Sequence, residues 1–236
     1  LSNLLKGVRL RVRRIADLLM PQDCFVCGSM SGAAALCSAC RNDLPRQPAS
    51  CPVCAVPTGD GATCGRCLRN PPAFDASRAA FAYAFPVDRI VQGLKYRHRL
   101  ALANFFAEAL LPLGPPRPAA VLLPMPLHVS RLRQRGFNQA VEIARPLGRA
   151  WGLPLELAAV GRALNTAPQV SLPWKERSVN MRGAFRCEAS FAGRTVIVVD
   201  DVMTTGATLD ELARTLKMHG AARVENLVVA RTPSPE

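Results

Sequence analysis

From residue 79 onward, apolar runs with strand character alternate with stretches of helical periodicity. Ala79–Phe85 predicts a strand; Val87–Tyr96 and Leu100–Leu111 predict helices. Gly114-Pro115-Pro116-Arg117-Pro118 predicts a loop, and Ala119–Leu123 a second strand. Phe137–Trp151 predicts a helix bent or interrupted at Pro146, which has no N–H to give the helical ladder. Thr195–Val199 is a β-branched run with the composition of a strand buried on both faces, and Leu209–His219 predicts the helix after it. This alternation implies an α/β fold with a mostly parallel sheet flanked by helices, occupying residues 73–236. The segment 161–182 is polar, holds two prolines and has no clear period, as expected of a functional lid or mobile loop.

The first 22 residues place Leu4, Leu5, Val8, Val12, Ile15, Leu18 and Leu19 near helical spacing, with Lys6, Arg9, Arg11, Arg13 and Arg14 between them. They predict a basic amphipathic helix, read as packed on the body in preference to a membrane surface or nucleic acid. The basic residues break any secretory apolar core, and no apolar run approaches the ~20 residues a membrane span needs, so a cytoplasmic location without a membrane span is expected.

Between these regions lie Cys24, Cys27, Cys37 and Cys40, then Cys51, Cys54, Cys64 and Cys67. Each of the second four falls 27 residues after its counterpart. Two CxxC pairs supply four thiolates, enough for a closed tetrahedral zinc site, and strict CxxC pairing without an export signal favours metal over disulfides. Two structural Zn2+ sites over 23–70 are expected. The ligands group either sequentially or crosswise, and the matched nine-residue spacers favour the sequential sets. Cys187 stands alone and reads as a small apolar residue.

Asp200-Asp201 end the apolar strand, and Thr204-Thr205-Gly206-Ala207-Thr208 lead into the next helix. Ligands of open α/β sheets bind at the carboxyl edge of the strands, where a helix start offers free N–H groups to an anion. Gly206 allows close backbone approach, and the threonines add hydroxyl donors. There is no GxxxxGK[ST] and no GxGxxG, which argues against a Walker A site and a dinucleotide fold. The apolar strand, acid pair and TTGxT resemble the signature by which type I phosphoribosyltransferases bind 5-phosphoribosyl 1-diphosphate (PRPP). That resemblance implies a catalytic acid pair, Asp200 and Asp201, meeting the ribose hydroxyls directly or through metal-bound water, while Thr204, Thr205, Gly206, Ala207 and Thr208 hold the 5′-phosphate.

A second strand exit, at Pro124–His128, is followed by Arg131, Arg133 and Arg135 on alternate residues. The planar guanidinium fork suits a diphosphate, so these three are candidate pyrophosphate ligands. Together with the cysteine repeat, the stretches 94–97 (LKYR), 124–140 (PMPLH, then RLRQRGFNQA) and 196–208 resemble the ComF family of bacterial proteins. So does the series Arg162, Thr166, Gln169, Leu172, Arg177, Asn180, Ala184 and Phe185. The resemblance spans nearly the whole chain and implies a type I phosphoribosyltransferase-like fold carrying an N-terminal double zinc ribbon, associated with natural competence and DNA uptake.

The formal charge is +13, and two four-thiolate zinc sites would lower it by 4, leaving a basic surface suited to phosphates or nucleic acid. Two functions compete. In one, an enzyme uses Mg2+ and PRPP in nucleotide metabolism or DNA uptake, with Lys175 or Arg177 of the 162–182 loop closing on the diphosphate. In the other, a non-catalytic module of the competence machinery binds a nucleotide or single-stranded DNA, which the 6% aromatic content disfavours. A PRPP-sensing regulator ranks last, because no helix-turn-helix signature accompanies the loop.

Overall fold

The computed structural model describes residues 22–114, 120–163 and 183–233. The helix expected over 1–22, apart from Gln22, lies outside the described residues, as does most of the expected lid with Lys175 and Arg177. The chain divides into two compact units between Leu44 and Pro45, so the division falls between the two cysteine sets.

In the first unit, β1 (Gln22–Asp23) and β2 (Met30–Gly32) pair antiparallel, and α1 (Ser38–Asn42) follows. Cys24 and Cys27 sit in the turn joining the strands, which Cys24 N–H closes on the Ser29 carbonyl at 2.7 Å. Cys37 caps α1, its Sγ accepting from the Cys40 amide at 3.5 Å.

The second unit repeats this device. Cys51 and Cys54 flank a tight turn in which Ala55 N–H donates to the Cys51 carbonyl, and Cys64 stands at the N-cap position of α2 (Gly65–Arg69) without a side-chain cap hydrogen bond. The chain then enters the sheet through β3 (Ala76–Ala82), α3 (Val87–Tyr96), α4 (Ala101–Leu110) and β4 (Ala120–Pro124). Next come α5 (Val129–Arg135), α6 (Gln139–Trp151) and the short antiparallel pair β5 (Val160–Arg162) and β6 (Phe185–Cys187). Finally β7 (Thr195–Met203), α7 (Ala207–Met218) and β8 (Arg223–Arg231) complete the unit. The sheet order is β3-β8-β7-β4, with every neighbouring pair parallel.

The apolar pattern explains the packing. Val121, Leu123, Val196, Val198, Val224 and Val228 join Leu209, Leu212 and Leu216 of α7 in one core, each such side chain contributing roughly 1.5–3 kcal/mol on burial. Cys51, Cys54, Ala55, Val56 and Cys67 belong to that same core, so the second ribbon is built into the sheet domain. α6 runs through Pro146 without interruption, and it starts at Gln139, two residues after the expected Phe137, because Asn138 caps it, its Oδ1 accepting from Ala140 N–H at 2.9 Å.

One further local feature differs from the sequence expectation, and another was open in it. The acid pair does not end its strand: β7 continues to Met203 because β8 goes on pairing with it, Asp200 opposite Val228 and Met203 opposite Arg231. On the other edge, β4 stops at Pro124 opposite Val199, which uncovers β7 where the acids begin. The sequence assigned the three arginines after the second strand exit to no element. They lie on α5, opened by the His128 side chain accepting from Ser130 N–H and closed by Gly136 in the left-handed region (φ +79°). Among the described residues no helix is long and apolar enough to cross a membrane.

Candidate functional site

A cavity of about 240 Å3 opens where β4 leaves the edge of β7. Its lining includes Lys95, Tyr96, Arg131, Arg135, Gln139, Arg162 and the continuous run 200–209. The fold thus gathers both acids, the whole TTGAT loop and two of the three predicted arginines. Arg133 does not line the cavity: residues four apart share a helix face, so Arg131 and Arg135 turn inward together while Arg133 is exposed.

The two acids have unlike surroundings. Asp201 is 4% exposed and accepts an ion pair from Lys95 Nζ at 2.8 Å on Oδ1, while its Oδ2 is buried with no hydrogen-bond partner among the described residues. Burial works against the Lys95 ammonium, but the charge and hydrogen bond of Asp201 outweigh it and raise the lysine pKa. Asp200 keeps partial access to the cavity. Burial of its carboxyl, then the adjacent Asp201 charge, push it up to about 7, against the pull of Lys95.

Beyond Met203 the backbone turns at Gly206, whose φ of +83° favours glycine; a Cβ there would come within 2.7 Å of the Met203 methyl. α7 begins at Ala207, and its first residues, Ala207, Thr208 and Leu209, border the cavity. Thr205 Oγ1 accepts from Ala207 N–H at 3.2 Å.

The arginine helix is held against this loop's approach. Arg135 donates to Gln139 Oε1, places its guanidinium 5.4 Å from the centre of the Tyr96 ring, and has its carbonyl 3.1 Å from His98 Nε2. Asn138 Nδ2 donates to the Met125 carbonyl at 3.0 Å, tying the start of α6 to the exit of β4. Arg162 enters from β5. Burial, then the nearby Arg131 charge, lower its pKa, with Asp200 opposing.

Lys95, Tyr96, Gln139 and Arg162 had no site role assigned from sequence. A signal existed for Lys95, which follows the buried stripe Val87, Ile90, Val91 and Leu94 at one helical turn from Val91. A cation so near an apolar stripe requires an acidic partner. For Arg162 the sequence carried no comparable signal.

The cysteines form two sequential sets, Cys24/Cys27/Cys37/Cys40 and Cys51/Cys54/Cys64/Cys67, the sulfurs of each lying within 4.8 Å of one another. The donor chemistry fits zinc. The hydroxyl and amide of Ser29 pull the Cys27 thiol down to about 6, toward thiolate. The neighbouring Cys27 sulfur pushes Cys40 up and burial pushes Cys54 and Cys67 up, effects that a cation among the crowded sulfurs would relieve. Burial pushes Cys51 up, but the amides around it, Cys64 first, outweigh this and hold it at about 7. Both sets are closed four-thiolate sites of the structural kind. Cys187 belongs to neither and donates to the Ala189 carbonyl at 3.3 Å.

A parallel sheet with an acid pair and a glycine turn into a helix at its carboxyl edge, joined to four-cysteine ribbons, defines a phosphoribosyltransferase-type fold with structural zinc sites. Residues 15–68 match the double zinc ribbon domain family, and residues 132–236 match the phosphoribosyl transferase domain family. The chain is 34% identical over 169 residues to the DNA utilization protein YhgH of Escherichia coli, covering 69% of this chain and 74% of that protein. It is 30% identical over 207 residues to competence protein F of Haemophilus influenzae, covering 83% of this chain and 90% of that one. Competence protein ComFC of Bacillus subtilis is 36% identical over 113 residues, 48% of this chain and 45% of its own length. The chain belongs to the ComF family.

Proposed function

We propose that the cavity binds PRPP with Mg2+ and that the chain transfers the ribosyl 5-phosphate to an acceptor in support of DNA utilization or competence, the roles its relatives are named for. The observation that carries this reading is the meeting of an anion-binding loop, an acid pair and two arginines in one cavity. Residues 204–208 would hold the 5′-phosphate, Asp200 and Asp201 the ribose hydroxyls, and Arg131 and Arg135 the diphosphate. In the transfer, the bond from the anomeric carbon to the diphosphate oxygen breaks, pyrophosphate leaves with the bonding pair, and the acceptor's lone pair forms the new bond.

The acid pair fits a hard cation. Mg2+ favours one or two carboxylates with water and phosphate oxygens, and the unpartnered Asp201 Oδ2 and cavity-facing Asp200 are such oxygens. Bound there, the ion would neutralise charge on the diphosphate as it departs. Lys95 keeps the Asp201 carboxylate in place, and the paired arginines take up charge on the leaving group without reorganising. Calorimetry with Mg2+ and PRPP tests the reading: the wild type should bind, and Asp200→Asn with Asp201→Asn should lose at least about a hundredfold in affinity, two charged contacts being removed. Equal binding by both proteins would overturn it.

A second reading has its own observation. Tyr96, 69% exposed at the cavity mouth, has the Arg135 guanidinium 5.4 Å from its ring centre and is followed by exposed Arg97 and Arg99, a basic surface with an aromatic platform suited to single-stranded DNA. Oligonucleotide anisotropy across a salt series should then show affinity falling steeply with salt and falling again on Tyr96→Ala.

A further inference from the structure

The phosphate loop and the second cysteine set share their backbone anchors. Arg231 ends β8 and is 3% exposed. Its Nε donates to the Cys54 carbonyl at 2.9 Å, and its Nη1 donates to the carbonyls of Met203 at 3.1 Å, Thr204, and Thr232 at 2.6 Å. Arg66, between the ligands Cys64 and Cys67 on α2, donates from Nη1 to the Thr205 carbonyl at 3.1 Å. Three consecutive carbonyls, of residues 203 to 205, are therefore taken by two arginines on the ribbon side. The peptide bonds here are trans, and in a trans peptide each C=O points opposite to the N–H of the next residue. The N–H groups of Thr204, Thr205 and Gly206 are thereby turned away from the ribbon, and all three residues border the cavity. A plane that rotated would present a carbonyl dipole to the phosphate instead.

We propose that Arg231 and Arg66 are positioning residues that couple the Cys51/Cys54/Cys64/Cys67 zinc site to the phosphate loop, so that zinc retention there and phosphate-ester binding at 204–208 strengthen each other. The inference rests on the reading of 204–208 as a phosphate loop. Linkage is reciprocal: a ligand that zinc helps to bind must raise zinc affinity by the same factor. Cys54 contributes twice, its sulfur to the metal set and its carbonyl to Arg231, so movement of that turn reaches residues 203 and 204 through one guanidinium.

The test uses the full zinc-loaded chain with Mg2+ and PRPP, and separately ribose 5-phosphate, as probes. Arg66→Gln removes one anchor at a half-buried position; Arg231→Lys keeps the charge and loses the fork. Three quantities are read: probe affinity, zinc affinity by equilibrium chelator competition with and without probe, and hydrogen exchange of the amides at 204–209. In the wild type, saturating probe should raise zinc affinity about tenfold. Each variant should lose about tenfold in probe affinity, lose that zinc linkage, and exchange the loop amides about tenfold faster even without probe. Unchanged probe affinity and unchanged exchange in Arg66→Gln would overturn the coupling. If the wild type binds neither probe, the phosphate reading and the linkage built on it both fail; faster loop exchange in the variants would then uphold only the anchoring of residues 203 to 205 by Arg66 and Arg231, and unchanged exchange would overturn that as well.

Discussion

The two cysteine sets have the same ligands at the same spacing, yet they meet different surroundings. In the first set Cys24 is buried, Cys37 and Cys40 are half-buried and Cys27 is exposed; in the second, three of four are buried and join the core of the sheet. Between the third and fourth ligands, α1 carries Ala39 where α2 carries Arg66, which reaches the Thr205 carbonyl at the cavity loop. Ligand spacing selects the metal, and the residues between ligands select what the metal organises. The same lesson holds for Asp200 beside Asp201 and for Arg133 between Arg131 and Arg135, residues alike in sequence and unlike in contact.

The comparison can be broken most directly at the cysteines. Cys54→Ser should remove one zinc per chain and destabilise the sheet domain by several kcal/mol, since structural zinc binding is folding free energy. Cys27→Ser should also remove one zinc but leave the main thermal transition within a few degrees of wild type. Metal analysis beside calorimetric unfolding checks both, and equal losses would erase the distinction. Next in size, Asp201→Asn leaves the Lys95 ammonium without its buried partner and should cost on the order of 3 kcal/mol in denaturant unfolding.

The arginines give a smaller contrast. Arg131→Ala or Arg135→Ala should each weaken PRPP binding about tenfold or more, the worth of a charged hydrogen bond, whereas Arg133→Ala should change it less than about twofold. Matching effects at all three would mean that α5 rotates on binding.

A further contrast between the two acids is a slope with pH. The folded state holds the Asp200 proton more tightly than the unfolded chain, because its pKa is raised from 3.8 to about 7. Its contribution to stability is therefore complete below the unfolded value and is lost as pH rises through about 7. Stability of wild type minus that of Asp200→Asn, followed from pH 5 to 8, should decline with pH; a rising difference would contradict the assignment.

Much of this was readable in advance where short-range pattern decides structure. α3 has the bounds its periodicity predicts because Val87, Ile90, Val91 and Leu94 make a continuous buried stripe. The cysteine grouping follows from spacers that close each set on itself. The periodicity did not predict β8, although it is a central strand, because Arg223, Glu225 and Asn226 interrupt its apolar run. Most of those polar groups are paired, Glu225 with Arg78 of β3 and with Arg223 two residues before it, and the Asn226 Nδ2 with the Ser77 hydroxyl, while Asn226 Oδ1 is buried without a partner among the described residues. The extension of β7 past the acids depends on that unseen neighbour. In the site, the loop and acids are contiguous and so were legible, whereas Lys95 and Arg162 arrive from distant elements and become neighbours only through tertiary packing.

The strand order has a consequence in time. β3 is made early but pairs in the sheet only with β8, and the Ser77–Asn226 contact spans 149 residues. At ordinary translation rates of about 5–20 residues per second, β3 waits roughly 7–30 s for its partner. During that wait the aromatic face at Phe81 and the edge of β3 have no sheet to join, so the emerging polypeptide makes its greatest demand on chaperones before the last strand leaves the ribosome.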